Sequence, residues 1–273
     1  MSLAVAEGIA PADPAAAEAS RPARSGCARP RLWTEVLAIG WLLWLYDTVN
    51  DHAPLRLHVA LSHAASIYHL ERVLWLAPES PINSWIGSHP TLGAILSNYY
   101  DNAHFAVTLG LVVWLWWRHP RYYRPLRNML VLTNAIGFVV FWLYPVAPPR
   151  MLAGSGFVDV VALTHTWGAW HSGALASQAN ELAAMPSLHM AWALWCGLAL
   201  WFVARRWPLK ALAVAYPLLT VVAVLGTANH FFLDVVGGVL TALVAGAVAF
   251  AISRVRPLQR LLRRRGTVAA VSG

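Results

Sequence analysis

The sequence predicts an all-α, polytopic membrane protein: a six-transmembrane-helix bundle with an extra helix in the membrane interface. Three observations lead to this prediction. The 273 residues are 58% hydrophobic and only 12% charged, whereas soluble domains carry about 25% charged residues. Long apolar runs recur along the chain, and no segment shows the strand–turn–strand pattern of a β hairpin. The chain also contains 15 tryptophans, whose indole rings favour the headgroup level of a bilayer.

Six apolar runs approach the roughly 20 residues that a helix needs to cross a bilayer. Residues 1–30, which precede them, are rich in Ala and Pro and contain no apolar core long enough for a secretory signal, so we expect a disordered cytoplasmic tail. The membrane catalytic domain is predicted over residues 31–256, and a basic cytoplasmic tail over residues 257–273. The predicted spans are Leu32–Thr48, Asn98–Trp117, Leu126–Tyr144, Ser187–Ala204, Leu209–Thr227 and Asp234–Ser253.

The segment Leu55–Leu76, between the first two predicted spans, has a different composition. Its apolar residues are interrupted by three histidines, by Glu71 and by Arg72. A helix of this kind suits the plane of the membrane interface better than the bilayer core. We therefore predict that it lies along the membrane surface.

The basic residues predict the orientation of the chain. If the N-terminus is cytoplasmic, 17 of the 20 Lys and Arg residues fall in inner segments, and only Arg56, Arg72 and Arg150 fall outside. This distribution satisfies the positive-inside rule, and it accounts for the net charge of +8 without a nucleic-acid partner. We expect a multi-pass protein of the plasma membrane with both termini cytoplasmic and the candidate active site on the outer face.

The candidate catalytic residues lie in two short polar segments at the ends of apolar helices. His230 and Asp234 are four residues apart, which places them on one face of a helix in adjacent turns. Asp234 can then hold one imidazole nitrogen while the other nitrogen faces a substrate. His189 stands at the start of another apolar helix. Polar groups at membrane depth are functional candidates, and this set predicts phosphoryl transfer, with His230 as nucleophile and His189 as general acid.

A phosphoryl group also needs donors for its oxygens. Arg150 supplies a cation on the predicted outer side, and the backbone amides after Pro186 supply a helix N-terminus that binds anions. The Ser187 hydroxyl adds a further donor. The further candidates to line the site are Tyr100, Asp101, His104 and Asn229. For Asp101 and His104, helix capping or interhelical hydrogen bonding is the alternative role.

No metal or other cofactor is expected. Among the remaining outer histidines, His58 and His69 share a helix face while His63 lies well off it, so no ligand cluster emerges. Cys27 lies in a polar tail and Cys196 inside an apolar helix, which predicts neither a disulfide nor a zinc site.

The motifs carry a resemblance to a known family. Pro186-Ser-Leu-His189 followed by His230-Phe-Phe-Leu-Asp234-Val-Val-Gly-Gly resembles the second and third signature motifs of the type-2 phosphatidic acid phosphatase superfamily. Tyr144-Pro-Val-Ala-Pro-Pro-Arg150 and Tyr100-Asp-Asn-Ala-His104-Phe resemble the branch that includes the fungal inositol phosphorylceramide synthases. The resemblance covers roughly residues 90–250. It implies a six-helix core in which His230 is the nucleophile, Asp234 orients it, and His189 is the general acid and then the base.

Two departures from the family pattern bear on the reaction. The family's usual third motif has an Arg six residues before its His, and here Val224 occupies that position. The usual first motif, Lys followed by Arg-Pro, has no counterpart on the outer side, because the predicted topology places Arg124-Pro125 in the cytoplasm. A phosphate site that lacks these cations favours the phosphotransferase-like branch.

The leading hypothesis is a metal-independent lipid phosphotransferase or phosphatase that acts through a phosphohistidine at the non-cytoplasmic face. Its substrate would be a phospholipid or a lipid-linked phosphate, with an inositol-phosphate-type headgroup transferred to a lipid or polyol hydroxyl. Two alternatives stay open: simple hydrolysis of a phosphatidate or polyprenyl diphosphate, and a non-enzymatic lipid transporter or scaffold with a degenerate site. Transporters often contain inverted repeats with broken helices, and the sequence shows no such internal symmetry.

Overall fold

The structure, a computed structural model, describes residues 30–37, 40, 44, 56–164 and 182–271, with side chains described as far as Ser253. The described chain is helical and contains no strand, apart from an isolated bridge between Val146 and Ala183. The prediction of an all-α fold is therefore confirmed for this part of the chain.

Eight α-helices are described between residues 56 and 271, and we number them in chain order. A 3₁₀ turn, Pro149–Met151, lies between the fourth and fifth. The helices are α1 Leu57–Val73, α2 Glu79–Gly87, α3 Pro90–Arg118, α4 Pro120–Leu143, α5 Val160–Thr164, α6 Leu188–Val203, α7 Trp207–Gly226 and α8 Phe232–Val271.

Three of the described helices are long and apolar enough to cross a membrane: α4, α7 and the part of α8 that covers Phe232–Ser253. Helix α6 is apolar but has only 16 residues. Helix α3 has 29 residues, but Asn98, Asp101 and His104 interrupt its apolar sequence. These lengths are consistent with a membrane protein, while six spans and an interfacial position for α1 stay predictions.

The starts of the helices differ most from the predicted ones where proline begins the helix. Helices α3 and α4 begin at Pro90 and Pro120, eight and six residues before the predicted spans, because proline is favoured at the first helical position whatever the hydropathy. Helix α8 continues without a break to Val271, so the predicted tail 257–273 has a helical backbone up to that residue. The predicted span Leu32–Thr48 lies mostly outside the described residues.

The interior of the bundle is formed where α8 packs along α4 and α6, and α6 along α7. Trp195 of α6 is fully buried at this junction, in an apolar cluster that includes alanines of α6 and α8. Small side chains allow helix backbones to approach closely in a membrane. The alanines of this interior are Ala191, Ala199, Ala242, Ala245 and Ala249.

Two short helices close one end of the bundle. The buried face of α1 carries Ala60, Ala64, Ile67 and Glu71 and packs against α8 and the segment around Val146. Helix α2 packs against α7, α3 and α5. This end also contains the start of α6 and the turn between α7 and α8, which carry the predicted catalytic residues.

Candidate active site

The turn between α7 and α8 places His230 at the closed end of the bundle. Helix α7 ends at Gly226, and Ala228 adopts a left-handed conformation with φ of 54°. The amides of Asn229 and His230 both donate to the carbonyl oxygen of Val224, at 3.1 and 3.2 Å. A left-handed residue that ends a helix in this way reverses the chain. His230 consequently stands two residues before the first residue of α8.

The hydrogen bonds of His230 fix its tautomer. Its Nδ1 lies 2.9 Å from the carbonyl oxygen of Ala184. A carbonyl oxygen can only accept, so Nδ1 must carry the proton, and Nε2 of a neutral ring then carries a lone pair. Nε2 is buried and has no hydrogen-bond partner among the described residues. A buried imidazole nitrogen with an available lone pair is what a nucleophile requires.

Asp234 ties the turn to the start of α6. Its Oδ2 accepts a hydrogen bond from the amide of Phe231 at 2.9 Å and lies 3.6 Å from Nδ1 of His230. Its carbonyl oxygen accepts from the amide of Ser187 at 2.9 Å. The sequence predicts that Asp234 orients His230. In the structure the closest acceptor for Nδ1 is the Ala184 carbonyl, and the fully buried Asp234 carboxylate adds its charge beside the ring.

His189 faces His230 from the first turn of α6. The two ring centroids are 5.6 Å apart. The ring of His189 stacks on Tyr100 of α3 at 4.0 Å and meets the edge of His104 at 4.3 Å. His104 is itself held by a contact of 2.8 Å between its Nδ1 and the carbonyl oxygen of Tyr100. The structure thus brings Tyr100 and His104 to the histidine pair, and Asp101 lies next to Tyr100 along α3.

Arg150 reaches the same turn from a distant part of the chain. Its Nη1 donates to Oδ1 of Asn229 at 2.7 Å, and its Nε lies 3.6 Å from Oδ2 of Asp159. Its backbone amide donates to the carbonyl oxygen of Ala228. The side chain of Arg150 is only 8% exposed. These contacts place a buried guanidinium beside the residue that precedes His230.

Ser187 caps helix α6. Its Oγ accepts a hydrogen bond from the amide of Met190 at 3.3 Å, and the side chain is fully buried. A hydroxyl that accepts a bond keeps its own hydrogen to donate, so capping and phosphate binding are compatible. A Cβ at Gly238 would collide with the carbonyl oxygen of Ser187. Gly238 is therefore what lets α8 pass so close to the start of α6.

Comparison with known families decides where the chain belongs. A family model described as the PAP2 superfamily, the type-2 phosphatidic acid phosphatases, matches residues 65–248, well over half of the chain. The chain belongs to the PAP2 superfamily. Members of this superfamily are phosphatases or phosphotransferases, which is consistent with an enzyme that acts on lipid-type phosphate esters. No similar chain was found among curated proteins or among solved structures.

The match confirms the superfamily predicted from the two motifs. The structure shows the surroundings of Val224, which occupies the position of the arginine of the usual third motif. The side chain of Val224 is 1% exposed and belongs to an apolar cluster with Met190, Leu225 and Val235. A cation at that position would therefore lie in apolar surroundings. The guanidinium of Arg150 lies at the same turn, where it donates a hydrogen bond to Asn229.

Sequence reasoning missed three groups at this PAP2 site. The Ala184 carbonyl that holds Nδ1 of His230 is a backbone group, which residue type does not reveal. Glu71 and Glu79 are fully buried beside the first turn of α8. The only sequence signal for Glu71 was an acidic residue within an apolar helix. Within the described residues, no three His, Cys, Asp or Glu side chains are arranged to hold a metal ion.

Proposed function

We propose that the chain is a membrane-embedded lipid phosphotransferase in which His230 forms a phosphohistidine. The observation that carries the proposal is the fixed tautomer of His230. Its Nδ1 proton is held by the Ala184 carbonyl, while Nε2 is buried without a partner among the described residues. The PAP2 match supports phosphoryl chemistry on a lipid-type ester.

In the first step, the lone pair on Nε2 of His230 attacks phosphorus. A P–N bond forms, and the P–O bond to the leaving group breaks. His189, whose ring centre is 5.6 Å away, donates a proton to the departing oxygen. The positive charge on the phosphorylated ring is stabilised by the carboxylate of Asp234, 3.6 Å from Nδ1.

In the second step, His189 acts as a base. It accepts the proton of an incoming hydroxyl, whose oxygen attacks phosphorus and breaks the P–N bond, which restores neutral His230. Arg150 and the Ser187 hydroxyl donate to the phosphoryl oxygens in both steps. Their burial strengthens this interaction, because a hydrogen bond to a charged group is worth more where water is excluded.

Transfer to a hydroxyl acceptor is the version that we favour over hydrolysis. The cation of the usual third motif is missing at Val224. The site instead combines Arg150 with the segment of Tyr100 and His104, which resembles the phosphotransferase-like branch. An inositol-phosphate-type headgroup on a phospholipid is the proposed transferred group. Hydrolysis of phosphatidate or a polyprenyl diphosphate would use the same phosphohistidine with water as acceptor. A scaffold with a degenerate site would show neither reaction.

Mass spectrometry of the purified protein with candidate phospholipids tests the proposal. We expect a transferred product when ceramide, diacylglycerol or inositol is supplied, and full activity in EDTA, because Arg150 and amide donors supply the stabilising charge. Release of inorganic or headgroup phosphate alone, whatever the acceptor, would select hydrolysis. Loss of activity in EDTA with recovery in magnesium would overturn the mechanism, and no turnover on any lipid would favour the scaffold.

The proposed location is the plasma membrane, with the site on the outer face and both termini in the cytoplasm. The 17-to-3 division of basic residues supports this orientation. A reporter fused after Arg265 should be cytoplasmic, and a tag inserted at Gly168 should react with an impermeant label in intact cells. Labelling of the C-terminus without labelling at Gly168 would invert the topology.

A further inference from the structure

Two buried glutamates meet beside the first turn of the helix that carries Asp234. Glu71 of α1 and Glu79 of α2 are both fully buried, and their carboxyl groups face each other. Oε1 of Glu71 accepts a hydrogen bond from the amide of Leu233 at 2.6 Å. The amide of Phe232 faces Glu79 without the geometry of a full hydrogen bond. Negative charge is stabilised at a helix N-terminus, so both acids suit this position.

The contact between the two acids requires a proton. Oε2 of Glu71 and both carboxyl oxygens of Glu79 are buried and have no donor among the described residues. Ionised carboxylates can only accept hydrogen bonds, and two like charges in one buried site do not both ionise. Since Oε1 of Glu71 already accepts from Leu233, Oε2 is the oxygen placed to carry a proton toward Glu79.

We propose that Glu71 and Glu79 share one proton, carried on Oε2 of Glu71, and that this acid–carboxylate pair positions the turn containing His230 and Asp234. The pair reaches that turn through Leu233, whose amide is fixed by Glu71 and whose neighbour along the chain is Asp234. Glu71 and Glu79 are positioning residues, since they act on the histidine through the start of α8. Only the effect on turnover rests on the proposed function.

The shifted pKa values of Glu71 and Glu79 are consistent with one proton shared between the two carboxyl groups. Burial raises the pKa of Glu71 to about 9; the Leu233 amide opposes this rise, and the charges of Glu79 and Asp234 add to it. Burial also raises the pKa of Glu79. Asp234 faces the pair from α8, and the glutamates face each other from α1 and α2. Among the described residues, the ionisable groups that shift these two pKa values are the partner glutamate and Asp234.

The sign of the pH effect follows from the raised pKa of Glu71. The folded state favours the protonated acid, so the stability that this proton contributes is complete below the ordinary glutamate pKa of 4.5. It falls as the pH rises above that value and is lost above about 9. The Glu71→Gln variant removes this titration while its amide keeps an oxygen for Leu233 and an N–H for Glu79.

Infrared spectroscopy of the full-length protein in lipid nanodiscs tests the shared proton. With isotope-labelled glutamate, we expect a carboxylic-acid carbonyl band at pH 7 that is missing in Glu71→Gln and disappears as the pH passes about 9. Glu35→Gln is the matched control, because Glu35 is also buried but pairs with Arg127 and Tyr123 elsewhere in the bundle. Identical spectra of the wild type and Glu71→Gln at pH 7 would overturn the proposal.

Hydrogen exchange of the peptide 231–236 tests the positioning role without any substrate. Exchange at the Leu233 amide should be faster in Glu71→Ala and close to wild type in Glu71→Gln and Glu35→Gln. Unchanged exchange in Glu71→Ala would overturn the role. Amide exchange is base-catalysed, so each rate is compared with the intrinsic rate at the same pH. If Glu71→Ala does not fold, a loss of protection at Leu233 when the pH of the wild type is raised through about 9, without such a loss in Glu71→Gln, supports the role. The same protection profile in both overturns it.

Turnover supplies the last readout. Because a displacement of about 1 Å in a catalytic group costs on the order of 10²-fold in rate, kcat of Glu71→Ala should fall by about that factor with KM little changed. The kcat of the wild type should decline as the pH rises through about 9, where Glu71 loses its proton. Glu71→Gln should retain the wild-type kcat at pH 7 and show no such decline. Wild-type-like kcat in Glu71→Ala contradicts positioning. Absence of lipid turnover in the wild type would count against the proposed function alone, since the infrared and exchange results still decide the pair.

Discussion

The closed end of the bundle and its apolar interior treat buried polar atoms in opposite ways. In the interior, Nε1 of Trp195 donates to the carbonyl oxygen of Leu126 at 2.8 Å, and Oγ1 of Thr133 donates to that of Met129 at 2.8 Å. At the closed end, Nε2 of His230 and Oδ1 of Asp234 are buried with no partner among the described residues. In the interior these buried polar groups are hydrogen-bonded within the protein, whereas at the closed end these two atoms can still bond to a substrate.

The difference has an energetic meaning. A buried polar group without a partner costs about 1–3 kcal/mol, and among the described residues two such atoms, Nε2 of His230 and Oδ1 of Asp234, lie within one turn of each other. The interior supplies the compensating stability through buried apolar surface and close helix packing around Trp195. Helix α6 belongs to both regions, since it begins beside His189 and continues past Trp195. Substitutions at the closed end should therefore lower mainly the rate of turnover, and substitutions in the interior should lower mainly the stability of the fold.

The largest effect is expected for His230→Ala. Loss of the nucleophile should lower turnover by at least about 10⁴-fold and abolish any acid-labile phosphoenzyme. Thermal stability should change little, because removal of the unsatisfied Nε2 offsets part of the loss of the bond to the Ala184 carbonyl. Asp234→Asn should leave slow but detectable turnover. Rapid-quench trapping and thermal unfolding in detergent measure both properties. A phosphoenzyme that survives in His230→Ala would show that another residue is the nucleophile.

The next largest effect is expected for His189→Ala, and it should depend on the leaving group. A positioned proton transfer contributes about 10²–10⁴-fold, so a lipid alcohol should leave slower by that factor. A p-nitrophenyl phosphate ester needs no protonation and should still phosphorylate His230 at a measurable rate. Single-turnover rates with both substrates check this. Equal losses with the two substrates would contradict the general-acid role.

A matched pair of glycines separates the two regions directly. A Cβ at Gly238 would collide with the carbonyl oxygen of Ser187 at the closed end, and a Cβ at Gly197 with the carbonyl oxygen of Ala213 in the interior. Gly238→Ala should disturb the bond between Ser187 and Asp234 and lower kcat about tenfold or more. Gly197→Ala should destabilise the fold by about 1–3 kcal/mol with kcat retained. Equal effects on kcat would mean that the regions are not independent.

The smallest effect is expected for Trp195→Phe. The variant loses the hydrogen bond to the Leu126 carbonyl and part of the buried ring, which should cost about 1–3 kcal/mol of stability. Turnover of the folded fraction should match the wild type. Denaturant unfolding alongside kcat at low temperature measures the two effects. A fall in kcat that exceeds the fall in the fraction of folded protein would show that Trp195 also affects the chemistry at the closed end, and would contradict the separation of the two regions.

Some parts of the site could be read from local sequence. The spacing of His230 and Asp234 predicted that the two side chains are close. They are, with 3.6 Å between Nδ1 and Oδ2, although His230 precedes α8 by two residues and does not share a helix face with Asp234. His189 stands in the first turn of an apolar helix, so the sequence indicated all three residues and their shared end. The apolar runs also predicted α6, α7 and the start of α8 within about two residues. These features depend on a residue's own helix, whose periodicity is a local property of the chain.

Other parts were decided only by the packing of helices that are distant in the chain. Arg150 meets Asn229 across 79 residues, and Glu71 reaches the Leu233 amide across 162 residues. The acceptor for Nδ1 of His230 is a backbone carbonyl from a loop before α6. Hydrophobic periodicity specifies which face of a helix is buried but not which partner lies against it. The candidates for nucleophile, acid and guanidinium were therefore determined by the sequence. The tautomer of His230, the bond from Arg150 to Asn229 and the acidic pair behind α8 were determined by tertiary packing.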